Sequence, residues 1–369
     1  MLLATVVWQI AYCLRVAGGN PTALFLIGGL PQPPELDRGA FHYAHSGGYD
    51  GQLYRIIAHD PLFRKGYARY LDDARYRYRR ILVPGAAAIV GGGEAKRVDL
   101  AYVAVTDVLL AAGGVWFALL AAPAVPPVLA AGLYCLVPAI VASTDRMVLD
   151  GVLVAGFLAA LFFYRRDRLV PLAATAGLLP LVREAGVLVW AGVLAACLLR
   201  RAWVRAAAVA AAALPWLAWY GFVALRTSPS YTAELLLSLP LLPMLQRLFT
   251  VVPRPVTPPV NLLLEVLDVA ACLALLFSLA YFAGTVWRDV RAGRGFDDVL
   301  VAGPVILLAA CSGGPRIMGE PYDFMRVTSV AVVWTVLRLL PARRWFAVVL
   351  LLASSSALLI YRAAALLRA

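Results

Sequence analysis

The chain of 369 residues is 62% hydrophobic and only 15% charged, with a mean hydropathy of +0.81; a soluble domain has roughly 45–50% apolar and 25% charged residues. This composition excludes a soluble enzyme, a disordered protein and a nucleic-acid module. The net charge of +12 has two ordinary sources in a membrane protein, basic cytoplasmic loops and attraction to lipid phosphates. The five cysteines lie in apolar surroundings without metal-ligand spacing and read as small buried hydrophobes.

The first apolar run, 1–16, ends at Gly18-Gly19-Asn20-Pro21. Gln9, Arg15 and the lack of a small-residue cleavage site favour a retained helix over a signal peptide. Residues 18–97 form a long polar loop with juxtamembrane helices. Spans follow at 98–121, 125–142, 147–164, 169–182, 186–199 and 203–225, then, after a loop at 226–259, at 260–287, 298–311, 325–340 and 345–362. With the first helix this predicts an all-α, polytopic integral membrane protein of about eleven crossings in a single transmembrane domain. Residues 98–225 make its core module and 260–369 its C-terminal helices.

Basic connections set the orientation: Arg165, Arg166 and Arg168; Arg200, Arg201 and Arg205; Arg288, Arg291 and Arg294; Arg343 and Arg344. The positive-inside bias places all four in the cytoplasm. A cytoplasmic N-terminus is then compatible only if the short apolar stretch 81–93, roughly 20 Å as a helix, lies on the outer surface instead of crossing. The loop 18–80 then shares the outer side with Asp145, Arg146, Arg183, Glu184, Glu320, Asp323 and Arg326.

Several of these residues are candidates for chemistry. The helices at 169–182 and 186–199 are each about 14 residues, ~21 Å against a ~30 Å hydrocarbon core. Their turn, Arg183-Glu184, is therefore drawn below the headgroups, where a charged pair marks a functional site or caps the hairpin as a salt bridge. Ser143-Thr144-Asp145-Arg146, with Asp150 a turn later, offers a second acid, although Asp145 fits equally well as a cap on the following helix. Asp107, Glu265 and Asp268, isolated on apolar helices, fit interhelical hydrogen bonds.

Between Arg64 and Arg80 the basic residues alternate with tyrosines: Arg75, Tyr76, Arg77, Tyr78, Arg79, Arg80. Guanidinium forks suit phosphate oxygens and aromatic faces suit sugars or headgroups; a plain anionic-lipid contact explains the run about as well. Gly47-Gly48-Tyr49-Asp50-Gly51-Gln52-Leu53-Tyr54 puts Asp50 in a tight glycine-flanked turn, free to serve as a general base. His42, His45 and His59 complete no metal-ligand spacing, and no phosphate-binding glycine motif is present.

The stretches Tyr49-Asp50-Gly51-Gln52 with Tyr54, Asp60-Pro61, Tyr76-Arg77-Tyr78-Arg79-Arg80-Ile81-Leu82-Val83-Pro84, and Leu181-Val182-Arg183-Glu184-Ala185-Gly186 resemble the GT-C superfamily of membrane glycosyltransferases. The similarity is greatest to a group of bacterial members, many of them uncharacterised, and covers roughly residues 1–200. It implies a polyprenyl-phosphate-linked sugar donor, a glycan, lipid or protein acceptor, no nucleic-acid partner, and placement in the inner membrane with the active face toward the exterior. By position it implies Asp50 as the first-loop acid, a catalytic base or metal ligand, with Asp145 as the second-loop catalytic acid; Glu184 is read beside them as a catalytic residue that orients Arg183 or a sugar hydroxyl. Tyr49, Gln52, Tyr54, Tyr76, Arg77, Arg79, Arg80, Arg146, Arg183, Asp323 and Arg326 become the substrate-binding set. A paired-acid metal motif is approximated only by Glu35-Leu36-Asp37, so a divalent metal stays an open cofactor. A lipid or lipid-linked-sugar flippase, an oligosaccharide ligase or polymerase, and a noncatalytic lipid-presenting subunit remain alternatives.

Overall fold

The computed structural model describes residues 1–44, 46–122, 124–229, 238–252, 257–292, 297–311, 321–353 and 359. His45, Arg294, Glu320 and the end of the predicted last span lie outside them, as does the side chain of Tyr322.

The described residues are helical, with no β-strand beyond an isolated bridge between Ile27 and His42. The helices are α1 (Leu2–Ala17), α2 (Pro34–Asp37), α3 (Asp50–His59), α4 (Ala74–Tyr78), α5 (Leu82–Val90), α6 (Ala95–Ala121), α7 (Pro127–Cys135), α8 (Pro138–Arg146), α9 (Asp150–Arg165) and α10 (Leu169–Val182). The second half adds α11 (Gly186–Leu199), α12 (Trp203–Ala211), α13 (Leu214–Arg226), α14 (Leu242–Leu248), α15 (Pro258–Arg291), α16 (Asp297–Cys311), α17 (Pro321–Val327), α18 (Ser329–Leu339) and α19 (Trp345–Ala353).

Three segments are long and apolar enough to cross a membrane: α6, α12 with α13 read as one 24-residue stretch, and the 34-residue α15. The pair α7 and α8 makes a fourth if it counts as one span. The span expected at 125–142 is two helices bent by 66°. Pro138 has no N–H to donate and holds Val137 in an extended conformation, so α7 stops and α8 starts afresh. The predicted span at 325–340 is likewise broken, at Thr328, where the Thr328 and Ser329 hydroxyls donate back to the Phe324 and Met325 carbonyls at 2.8 and 2.9 Å. Other apolar helices are shorter, 16 residues in α1 and 14 in each of α10 and α11. Helix α5 has nine residues, about 13.5 Å, and is too short to cross.

Between α1 and α6 the chain folds as a cap on the bundle. Arg55 of α3 donates from Nε and Nη2 to Asp99 of α6 at 2.8 and 3.0 Å, and His59 Nε2 lies 2.9 Å from the same carboxylate. Asp60 accepts from the backbone N–H groups of Lys65 and Tyr67, while the Tyr78 hydroxyl donates to the Asp60 carbonyl. Phe63 stacks on Tyr78 with centroids 3.8 Å apart. Helix α1 is tied in by Gln9, whose amide donates to Asp107 at 3.0 Å and to the Thr144 carbonyl at 3.2 Å. Asp107 is thus an interhelical partner, as are Glu265 and Asp268, both bonded to Arg247.

Ion pairs gather at the two ends of α9, about 24 Å apart. At its C-terminal end Arg165 pairs with Asp298, and Arg338 reaches Asp289 at 3.4 Å. Asp150, at its N-terminal end, belongs to the network described below.

Removing one partner of a buried ion pair strands the other charge. Arg55→Met is therefore expected to destabilise the protein by about 3–5 kcal/mol, read as a lowered unfolding midpoint in detergent. Arg97→Ala, which breaks an exposed pair with Glu94, leaves the midpoint unchanged.

Candidate functional site

Four separate breaks in helical structure deliver the charged residues. Gly48, at φ 80, turns the chain into Tyr49, and α3 then starts at Asp50. A Cβ on Gly51 would lie 2.1 Å from the Arg146 carbonyl oxygen, so glycine there lets the first turn of α3 pack against the end of α8. Helix α8 ends at Met147, at φ 48, and α9 begins at Asp150. Arg183 sits in extended backbone between α10 and α11, where a Cβ on Gly186 would lie 2.2 Å from the Leu179 carbonyl oxygen. Asp73 caps α4 by accepting from Tyr76 N–H at 2.9 Å, aligning the arginines that follow.

Arg326 of α17 joins two of these segments to its own helix. Its Nη2 lies 2.8 Å from Asp50 and 3.0 Å from Asp323, and its Nη1 3.1 Å from Asp150. Asp150 also binds Arg183. The other oxygen of Asp50 lies 3.0 Å from Arg77 Nη1, and Arg77 holds Asp72 through Nε and Nη2 at 2.9 and 2.7 Å. Tyr49 donates to Asp323 and lies under both Arg326 and Arg146, whose guanidinium carbons are 4.9 and 4.5 Å from its ring centroid. Beside this group Arg80, only 1% exposed, binds Glu184 at 3.0 Å and the Tyr54 hydroxyl, with the Tyr76 ring 4.1 Å away.

The electrostatics follow from this pairing. Burial pushes the Asp50 carboxyl up, but Arg77 and Arg326 outweigh burial and hold it well below the usual carboxylate range. For Arg77, burial acts downward while Asp50 and Asp72 act upward and win, so the guanidinium stays charged. A carboxylate held this way is a weak base, and it gains basicity only when its arginines are drawn toward another anion.

The residues singled out from sequence divide clearly. Asp50, Tyr49, Arg77, Arg183, Asp323 and Arg326 share one network; Arg146 stacks on it through Tyr49; Tyr54, Tyr76, Arg80 and Glu184 form the adjoining group. Gln52 points instead into loop backbone, accepting from Gly28 N–H and donating to the Gly47 carbonyl. Arg79 lies over the Tyr220 ring. Asp145 does not cap α9, which has no side-chain cap; it sits in the last turn of α8 and accepts from Trp8 Nε1 at 3.1 Å. Asp150, missed as a site residue because an acid in a first helical turn reads as a dipole partner, is the acid that joins Arg183 to Arg326.

Among the described residues no group of three or more His, Cys, Asp or Glu side chains is arranged to hold a metal ion. Glu35 accepts from the Tyr67 hydroxyl at 3.3 Å and Asp37 lies 3.0 Å from His42, so the Glu35-Leu36-Asp37 acids have separate partners. Comparison with known proteins returns no matching family model, curated protein or solved structure.

Gly51→Ala is expected to push α3 off the Arg146 carbonyl and weaken the Asp50–Arg326 contact, lowering the unfolding midpoint. Because the folded-state pKa of Asp50 is depressed, its stabilisation is fully present above the unfolded value of about 3.9 and is lost as pH falls below it. The stability difference between wild type and Asp50→Asn should therefore be constant from pH 7 to about 5 and shrink below about 4, as measured by unfolding titrations across that range.

Proposed function

We propose that the protein is a multi-pass glycosyltransferase of the inner membrane, moving a sugar from a polyprenyl-phosphate-linked donor to an acceptor at the outer face. The observation that carries this reading is the junction of Asp50, Arg77, Arg183 and Arg326, drawn from four distant segments into one buried network. The apolar helices shorter than a full span complete about eleven crossings where the bilayer thins around them.

In the proposed reaction the acceptor hydroxyl gives its proton to Asp50 as its oxygen bonds to the anomeric carbon. The bond from that carbon to the phosphate oxygen breaks with its electron pair, leaving polyprenyl phosphate. Arg77, Arg183 and Arg326 stabilise the charge that develops on the leaving phosphate. As they turn toward it, Asp50 loses the partners that depress its basicity, so donor binding prepares the base. Attack opposite the leaving group inverts the anomeric centre. Asp150 holds Arg183 and Arg326 at their mutual spacing.

One observation favours a second reading. The buried Arg247–Glu265–Asp268 cluster reaches the eleventh residue of α15, and ionisable groups inside an apolar helix are common in transport pathways. A flippase would move the lipid-linked sugar across vesicles without consuming it.

The test is release of polyprenyl phosphate from labelled polyprenyl-phosphate hexose and pentose donors by purified protein supplied with envelope acceptors. Asp50→Asn should slow release by about 10²–10⁴-fold and Arg183→Ala by about 10²–10³-fold. Asp145→Asn should keep most of the rate while Asp150→Asn does not. Full release by both Asp50→Asn and Arg183→Ala, or transbilayer movement of intact donor without release, overturns the assignment.

A further inference from the structure

Arg79 differs from the arginines around it. Arg77, Arg80, Arg183 and Arg326 each hold a carboxylate. Among the described residues the Arg79 guanidinium meets no carboxylate, carbonyl or hydroxyl, and its Nε is buried without a hydrogen-bond partner. Its charged carbon lies 5.2 Å from the centroid of the Tyr220 ring. Glu184, the acid whose field reaches Tyr220, is bonded to Arg80.

The surface beneath Arg79 is an aromatic shelf on α13. Trp216 packs edge-on against Tyr220 at 5.5 Å and against Trp190 at 5.7 Å. The polar atoms of this shelf are satisfied with one exception. Tyr220 donates to the Pro180 carbonyl, Trp219 to Tyr78 and Trp190 to Val209, whereas Trp216 Nε1 is buried with no partner in a residue only 8% exposed. Two orphaned donors, Arg79 Nε and Trp216 Nε1, thus flank one tyrosine. Leaving such groups unmade is costly, and native folds keep few of them. The seam is also held in place, because Arg75 donates to the Ala224 and Thr227 carbonyls at 2.8 and 2.6 Å.

A guanidinium over an aromatic face keeps its N–H groups as a planar fork, which matches the paired oxygens of a phosphate. Trp and Tyr are enriched toward the membrane–water interfaces, where lipid phosphates are the abundant anions. We propose that Arg79, Tyr220 and Trp216 form a seat for the phosphate of an anionic lipid at the seam of α4 and α13, outside the Asp50 network. This deepens the glycosyltransferase reading and rests on it for the donor's identity: an arriving lipid phosphate is gripped first by the uncommitted arginine, before the paired ones release their carboxylates. The same phosphate chemistry is offered by a polyprenyl phosphate and by a bulk anionic phospholipid.

The test is native mass spectrometry of the full-length protein in detergent, titrated separately with polyprenyl monophosphate, phosphatidylglycerol and phosphatidylcholine. Arg79→Gln should weaken polyprenyl monophosphate adducts by about tenfold or more, with Arg79→Lys and Trp216→Phe intermediate and the exposed Arg64→Gln unchanged. A parallel loss of phosphatidylglycerol adducts identifies a general headgroup seat; a loss confined to polyprenyl monophosphate identifies a donor seat. Unchanged adducts of both anionic lipids in a folded Arg79→Gln protein overturn the proposal, as does equal loss of phosphatidylcholine. If Asp50→Asn lacks turnover while Arg79→Gln binds lipid normally, the seat is wrong and the enzyme reading stands. If Asp50→Asn keeps full turnover while Arg79→Gln loses the anionic adducts, the enzyme reading fails and the seat stands.

Discussion

The architecture depends on a single buried guanidinium. Arg326, 8% exposed, is bonded to Asp50 and Asp150, residues 276 and 176 positions away, and to Asp323 in its own helix. An isolated charge at that burial costs several kcal/mol, and the cost is offset only when carboxylates reach it with good geometry. The loop after α1, the start of α9 and the short α17 must therefore reach their places together. Gly51 and Gly186 allow backbone approaches that a side chain would block, and the breaks at Pro138 and Met147 aim the α8–α9 corner at the same point.

This arrangement gives the site a resting state that is internally neutralised. Asp50 is held ionised and weakly basic by the arginines that an anionic substrate would attract. In the proposed reaction, recognition of the anion and activation of the base are one event, since each arginine that turns outward removes a hold on the carboxylate. Arg79, which holds no carboxylate, is poised for a different role from its neighbours in the same run of sequence.

Much of this organisation is readable from residue order. The hairpin at 169–182 and 186–199 has the predicted ends because Pro180, the polar Arg183-Glu184 pair and Gly186 interrupt two otherwise uniform apolar runs. Asp50, Arg77, Arg183 and Arg326 stand out because charges at helix ends in so apolar a chain need partners. What escaped is pairing at long range. Asp145 and Asp150 are both acids at the same corner; the chain turns at the left-handed Met147 between them, and Asp145 bonds Trp8 while Asp150 bonds the arginines. Apolar composition likewise hides the bend of 66° between α7 and α8 and the break at Thr328, because hydropathy averages over the prolines and hydroxyls that interrupt a helix.

Asp50 and Arg326 stabilise the fold through each other. A double-mutant cycle of Asp50→Asn and Arg326→Gln, with unfolding free energies from denaturant titration in mixed micelles, measures this directly. A coupling free energy above about 1 kcal/mol is the result expected for residues in one network. Single-mutant effects that simply add, to within about 0.3–0.5 kcal/mol, contradict it.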